Sequence, residues 1–329
     1  MTFSIIVPVY NIEDKVKKCL ESIEKQSYKD FEVLVVIDGA TDNSRTICDE
    51  FACRDGRFKV IYKKNGGLVS ARKCGAKMAV GDYIINVDGD DYVDENYLLE
   101  IYNIIAEKAP DMVACAFNEV SIKIQKKKNN VPSGMYKDEA LLKVKDAIVY
   151  DKKIKGFQGG ALINSIWTKI VKREIYVKYQ ELIPDTITVG EDLILNAYLL
   201  GNIKSLYVFN ESFYNYVIYD YSMMHKYNIT NFKHYIDVSN ELLKIEYISP
   251  NDVYVYLFQA FISEIRKVAK GNDNYSSFKK VVMNTDEISK VHILAKKAHI
   301  ERYNFDFLIK YMLVKSDNCW LTYFICKKI

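Results

Sequence analysis

Over the first 118 positions, short apolar runs alternate with stretches whose apolar residues recur every three or four places. That is the rhythm of βαβ units and of a mainly parallel sheet covered by helices on both faces. Positions 3–9 form a nearly continuous apolar run, read as a buried strand. Positions 15–26 follow as a helix with Val16, Cys19, Leu20 and Ile23 on one stripe, and 31–37 is a second branched, apolar strand. The pattern then repeats. Asp42, Asn43 and Ser44 signal a helix start before a helix reaching about 52, with a strand at 58–62, a helix at 70–79 and a strand at 83–87. An amphipathic helix at 95–108, closed by Pro110, leads to a strand at 112–117.

Beyond 118 the alternation fades. Lys126, Lys127 and Lys128, followed by Asn129 and Asn130, read as a solvated loop or hairpin tip. From about 230 glycine nearly disappears, and Tyr254, Leu257, Phe258, Phe261 and Ile265 repeat at helical spacing, which predicts a helical C-terminal region. Two parts are expected, 1–220 and 221–329. The tail 320–328 is apolar and aromatic and ends in Lys327 and Lys328. It is expected to pack on the body, with a peripheral membrane contact as the alternative.

Composition narrows the picture only slightly. A chain of 329 residues, 49% hydrophobic, can bury a large core. A formal charge of +3 gives no field strong enough to argue for nucleic acid. Seven scattered cysteines without a CxxC pair disfavour a disulfide framework and a zinc site, so a reducing cytoplasm is expected. No signal peptide or membrane span is read in the sequence.

The chemistry sits at strand ends. Asp88-Gly89-Asp90-Asp91 follows the apolar strand at 83–87. Three mutually repelling carboxylates there are tolerated when solvent or a divalent cation neutralises them, and magnesium or manganese held by oxygen ligands suits a diphosphate. Pro8, Tyr10 and Asn11 end the first strand and Asp38 the second, on the rim where α/β sheets hold ligands. An aromatic ring and a carboxylate there could stack on a nucleobase and accept from it. Asn65-Gly66-Gly67 precedes a helix bearing Arg72, placed to reach a phosphate.

These pieces in order, VPVYN, DGATDNS, NGGLVSARKCG and GDYIINVDGDD, resemble the family 2 glycosyltransferases with a GT-A-type fold. SIWTKIVKREIY and VGEDLILN resemble later segments of its non-processive members, so that the likeness runs over about 3–218. The resemblance implies an inverting, metal-dependent transferase that moves a sugar from a nucleotide-diphosphate donor, most often a UDP-sugar, to an acceptor hydroxyl. The acceptor would be a glycan or lipid-linked molecule in cell-surface polysaccharide synthesis. It implies that Tyr10 and Asp38 line the base pocket, that Asn65 and Arg72 approach the nucleotide, and that Asp88 and Asp90 form the DxD motif. Asp90 would be the direct Mg²⁺ or Mn²⁺ ligand and Asp192 the catalytic base. Glu191 and Trp167 would lie toward the acceptor side, with Trp167 otherwise read as framework and Lys169 as a surface residue.

The chain departs from the family pattern at Ile37, Ala40 and Lys73, and it lacks the QxxRW of processive polymerases. His225, after Tyr214, Tyr216, Tyr219 and Tyr221, is read as packed or exposed, with a donor-phosphate contact as the alternative. Two rivals stay open: a nucleotidyltransferase, and a catalytically inactive sugar- or nucleotide-binding protein. Dinucleotide dehydrogenases and P-loop kinases are excluded by the absence of GxGxxG and GxxxxGK[ST].

Overall fold

The computed structural model describes residues 2–150, 160–219, 231–272, 274–299, 305–316 and 318–328. Two compact units divide the chain: Met1–Lys145 with Ala161–Asp220, and Asp146–Gly160 with Tyr221–Ile329.

The first unit opens with β1 (Phe3–Val9), α1 (Val16–Glu24), β2 (Phe31–Asp38), α2 (Ser44–Arg54), β3 (Phe58–Lys63), α3 (Gly67–Met78) and β4 (Tyr83–Asn86). Then come β5 (Tyr92–Val93), α4 (Tyr97–Lys108), β6 (Met112–Val120), β7 (Ile124–Lys127), β8 (Gly134–Lys137) and α5 (Asp138–Asp146). A single 3-10 turn (Ile166–Thr168), β9 (Lys169–Lys172), α6 (Arg173–Gln180), α7 (Glu191–Asn202) and β10 (Ser205–Val217) complete it.

The strands join in one sheet of order β3-β2-β1-β4-β9-β6-β10-β5, with β7 beside β6 and β8 beside β10. β3, β2, β1 and β4 run parallel, as the sequence rhythm predicts. β9 then enters antiparallel between β4 and β6, so the sheet is mixed rather than mainly parallel throughout. Because β4 and β6 both oppose β9, their carboxyl ends share the rim on which β1 and β2 also end. β1 and β2 are buried almost without interruption, because helices cover both faces of that half of the sheet. Their core includes Phe3, Val7, Leu20, Ile23, Val35 and Ile85.

The lysine run is not a loop tip. The hairpin turns at 121–123, and Lys126 and Lys127 lie on the returning strand β7, where Lys126 pairs with Glu211 and Lys127 with Glu119.

The second unit is helical, as the periodicity predicts. It holds α8 (Asn231–Leu242), α9 (Pro250–Gly271), α10 (Tyr275–Met283), α11 (Asp286–Ala295), α12 (Phe305–Lys315) and α13 (Cys319–Lys328). Leu257, Phe258, Phe261 and Ile265 of α9 form its core with Phe278, Val291 and, from the tail, Tyr323 and Cys326. Among the described residues no helix is long and apolar enough to cross a membrane.

Candidate functional site

Four of the expected segments meet at the carboxyl rim of the first unit. β4 runs through Val87 into the Asp88–Asp91 turn. Gly89 is closely approached there: a Cβ on it would fall 2.5 Å from Ile12 Cδ1, which would have to move, and 3.0 Å from the Pro8 carbonyl. The acidic turn therefore lies against the end of β1.

The carboxylates of this turn divide their labour. Asp91 points inward and is buried; it accepts from the Tyr214 hydroxyl at 2.7 Å and from Val217 N–H at 2.8 Å. Burial pushes its carboxyl up to about 8, with the Asp88 charge adding to the shift. Tyr214 also accepts from Asp88 N–H at 3.1 Å, so one hydroxyl braces both ends of the turn. Asp88 and Asp90 stay partly exposed. Burial, then the Asp88 charge, raises the Asp90 carboxyl above the ordinary range, while Lys15 acts in the lowering direction. Lys15 Nζ stands 4.2 Å from the centre of the Tyr219 ring, and Tyr219 donates to the Asp90 carbonyl at 3.0 Å.

Arg72, in the second turn of α3, is 2% exposed. Its Nη2 donates to Asp88 Oδ1 at 3.0 Å and its Nη1 to Asp192 Oδ1 at 2.8 Å, with Glu191 Oε1 3.7 Å away. Its Nε finds no hydrogen-bond partner among the described residues. The sequence reading gave Arg72 a free reach toward phosphate; folding instead engages it with carboxylates from two distant segments, because a guanidinium this deep needs counter-charge.

Glu191 and Asp192 open α7. Gly190 takes φ of +86°, a left-handed conformation that glycine adopts without a Cβ clash, and this turns the chain into the helix. Asp192 Oδ2 accepts from the Ile166 N–H at 3.0 Å, so both of its oxygens are held. Burial raises the Asp192 carboxyl, against the lowering pull of Arg72 and of that N–H. Burial and the Asp192 charge raise Glu191 as well.

On the nucleotide side, Tyr10 is 51% exposed, a ring free to stack. Asn11, at φ of +49°, accepts from Thr41 N–H at 2.8 Å and joins the first two rim loops. Asp38 is more occupied than a base-pocket residue was expected to be. Lys63 Nζ donates to it at 2.5 Å, and Gly66 and Gly67 N–H at 3.0 and 2.8 Å. The α3 amino terminus is thus capped by a carboxylate from β2. Asn65 is exposed beside it.

Trp167 is buried, stacked on Tyr214 at 4.4 Å and on Tyr216 at 5.6 Å. It supports the turn as framework, and its burial leaves little ring for an acceptor. Lys169, expected at the surface, is fully buried. Of the departures, Ile37 is a core residue, Ala40 packs against that core, and Lys73 pairs with Asp185 at 2.8 Å. His225 and Tyr221 lie outside the described residues.

A divalent cation fits the electrostatics of this rim. Among the described residues, Asp88, Asp90, Glu191 and Asp192 outnumber Arg72, Lys15 and Lys169, cations that act on them. Among the described residues no three His, Cys, Asp or Glu side chains converge as a ready cage. Such an ion would therefore complete its shell with ligand and water oxygens, as magnesium does readily.

The family model described as glycosyl transferase family 2 matches residues 4–165. The chain is 32% identical over 213 residues to the uncharacterized glycosyltransferase EpsJ of Bacillus subtilis, a match covering 65% of this chain and 60% of that protein. It is 30% identical over 340 residues to the glycosyltransferase GlyA of Streptococcus pneumoniae, covering 96% of this chain and 46% of GlyA. It thus spans about half the length of these relatives. Its fold is similar to the crystal structure of S. aureus TarS 1-349 in complex with UDP, with a TM-score of 0.68, 17% identity, and 100% of this chain and 91% of that one covered.

Proposed function

We propose, from the match of residues 4–165 to the family model described as glycosyl transferase family 2, that the chain transfers a sugar from a nucleoside-diphosphate donor to an acceptor hydroxyl, with inversion, one sugar per encounter. The observation that carries this reading is the bridge made by Arg72 between Asp88 of the acidic turn and Asp192. It brings a diphosphate-binding turn and a proton acceptor into one site, and glycosyl transfer needs both.

Asp192 takes the acceptor proton as the hydroxyl attacks. Burial raises its carboxyl above the ordinary range and so makes it a stronger proton acceptor than a free carboxylate, and a positioned general base contributes about 10² to 10⁴-fold. One base and one attack make a single displacement. Arg72 keeps the Asp192 carboxylate oriented and supplies positive charge between the base and the turn. Asp90, with Asp88, would hold Mg²⁺ or Mn²⁺, and that ion, when bound, supplies Lewis-acid stabilisation of the departing diphosphate. Tyr10 stacks on the base of the nucleotide, while Asn11 and Asp38 hold the loops beneath it. Uridine is the favoured base, in keeping with the UDP bound to the fold neighbour TarS. The proposed acceptor is a glycan or lipid-linked molecule in surface polysaccharide synthesis; the relatives' names support transfer of a sugar.

The test is a screen of nucleotide-sugar donors that reads released nucleoside diphosphate with manganese and with chelator. Metal-dependent release from one donor class supports the reading; no release from any donor, with acceptors spanning free and lipid-linked glycans, refutes it.

A further inference from the structure

With Asp192 as the base, as proposed above, the question is what holds the second oxygen of its carboxylate. Oδ1 has Arg72, a side chain. Among the described residues Oδ2 has the main-chain N–H of Ile166 alone, at the start of the 3-10 turn, and a main-chain donor is as well placed as the segment that carries it. That segment is 163–168, irregular apart from its one turn, and irregular backbone is rigid only where something ties it down.

Lys169 ties it down. It is the first residue of β9 and fully buried, and its Nζ turns back along the chain. It donates to the Ile163 carbonyl at 2.5 Å, to the Thr168 hydroxyl at 2.6 Å and to the Ser165 carbonyl at 3.4 Å. An ammonium has three hydrogens, and three oxygens of one loop surround it. Thr168 in turn donates to the Ser165 carbonyl at 2.7 Å, which closes the cluster. No carboxylate lies within salt-bridge distance of Lys169 among the described residues, and the Asp192 charge acts on it only at longer range. Burying a lysine against carbonyl groups is costly, and burial pulls its pKa down to about 7. A polar cluster of this kind gives the loop a single geometry that an apolar residue would not impose. Asn129 Oδ1, accepting from Ile163 N–H at 3.0 Å, and Asn196, donating to the Asn164 carbonyl, hold the same loop from either side.

We propose that Lys169 is a positioning residue for the reaction: by caging the 163–168 loop it fixes the Ile166 N–H on Asp192 Oδ2 and so sets the direction in which the base faces the acceptor. Lys169 touches neither donor nor acceptor. Its removal therefore acts on turnover and leaves donor binding alone.

The experiment compares Lys169→Met, Thr168→Val and Thr168→Ser with the unaltered chain in three readouts: kcat, donor KM, and hydrogen exchange at the Ile166 amide. Lys169→Met is expected to lower kcat by about 10-fold to 100-fold, the scale of a misplaced reacting group, with donor KM within about twofold. Ile166 exchange should quicken by about tenfold or more as the loop opens locally. Thr168→Val shares both effects in weaker form, and Thr168→Ser, which keeps the hydroxyl, restores them; this pair decides the matter if Lys169→Met does not fold. A folded Lys169→Met chain with unchanged kcat, or a Thr168→Val chain indistinguishable from Thr168→Ser in Ile166 exchange, overturns the inference. Exchange is read without substrate. A chain that transfers no sugar would thus remove the transferase reading while the link from Lys169 to Ile166 is still decided.

Discussion

Arg72 Nη1 donates to Asp192 Oδ1 at 2.8 Å, joining residues 120 positions apart in sequence. The same guanidinium reaches Asp88, so a single buried cation relates the α7 carboxylate to the β4 turn. Four expected outcomes follow from that arrangement and its supports.

Asp192→Asn keeps the shape of the side chain but removes the proton acceptor and puts a donor in place of one of the two accepting oxygens. We expect kcat to fall by about 10² to 10⁴-fold with donor affinity nearly unchanged, measured by steady-state kinetics beside donor titration. A variant turning over at close to the normal rate would remove Asp192 from this role.

Arg72→Met should move the pH profile in a defined direction. A general base works only when deprotonated, so kcat rises with pH through the titration of the Glu191–Asp192 pair. Burial has already raised both carboxyls, and Arg72 is the charge that chiefly opposes this. Without it the acidic limb of the kcat profile shifts to higher pH, and kcat at low pH falls more than kcat at high pH. A limb that stays in place, or moves to lower pH, contradicts the electrostatic role of Arg72.

Tyr214→Phe deletes the hydroxyl that accepts from Asp88 N–H and donates to Asp91. Two buried polar partners lose a bond at once, and we expect a loss of about 1–3 kcal/mol in urea denaturation. Manganese-dependent UDP binding should weaken with it, since the turn loses its brace. Unchanged stability would mean that the turn holds itself.

The sequence made some of this plain and hid the rest, for reasons that differ residue by residue. β1 through β4 and α4 were readable because each element carries its own local period, such as Val16, Cys19, Leu20 and Ile23 on α1, whereas the two-residue β5 was not read. β9 was not: four residues, Lys169–Lys172, offer no period to count, and their antiparallel place between β4 and β6 depends on partners about 60 to 90 positions away. The acidic turn was visible as a cluster, but which aspartate faces inward is set by Tyr214 and Val217, both on β10. Arg72 could be seen as a helix cation; that it faces Asp192 rather than open rim is a fact of tertiary packing. Lys169 was misread as a surface residue because lysine is rarely buried, and only the loop oxygens around it reveal why this one is. Asp38 was seen at the right place, yet its engagement by Lys63, Gly66 and Gly67 is invisible until β2 and α3 are set side by side.

Asp90→Ala tests the ground on which the other outcomes rest. Calorimetric titration of UDP should show binding to the unaltered chain with manganese, marked weakening with chelator, and no manganese-dependent component for Asp90→Ala. Equal UDP affinity with manganese and with chelator, or a manganese-dependent component that survives in Asp90→Ala, would contradict a cation held by the Asp88–Asp90 turn.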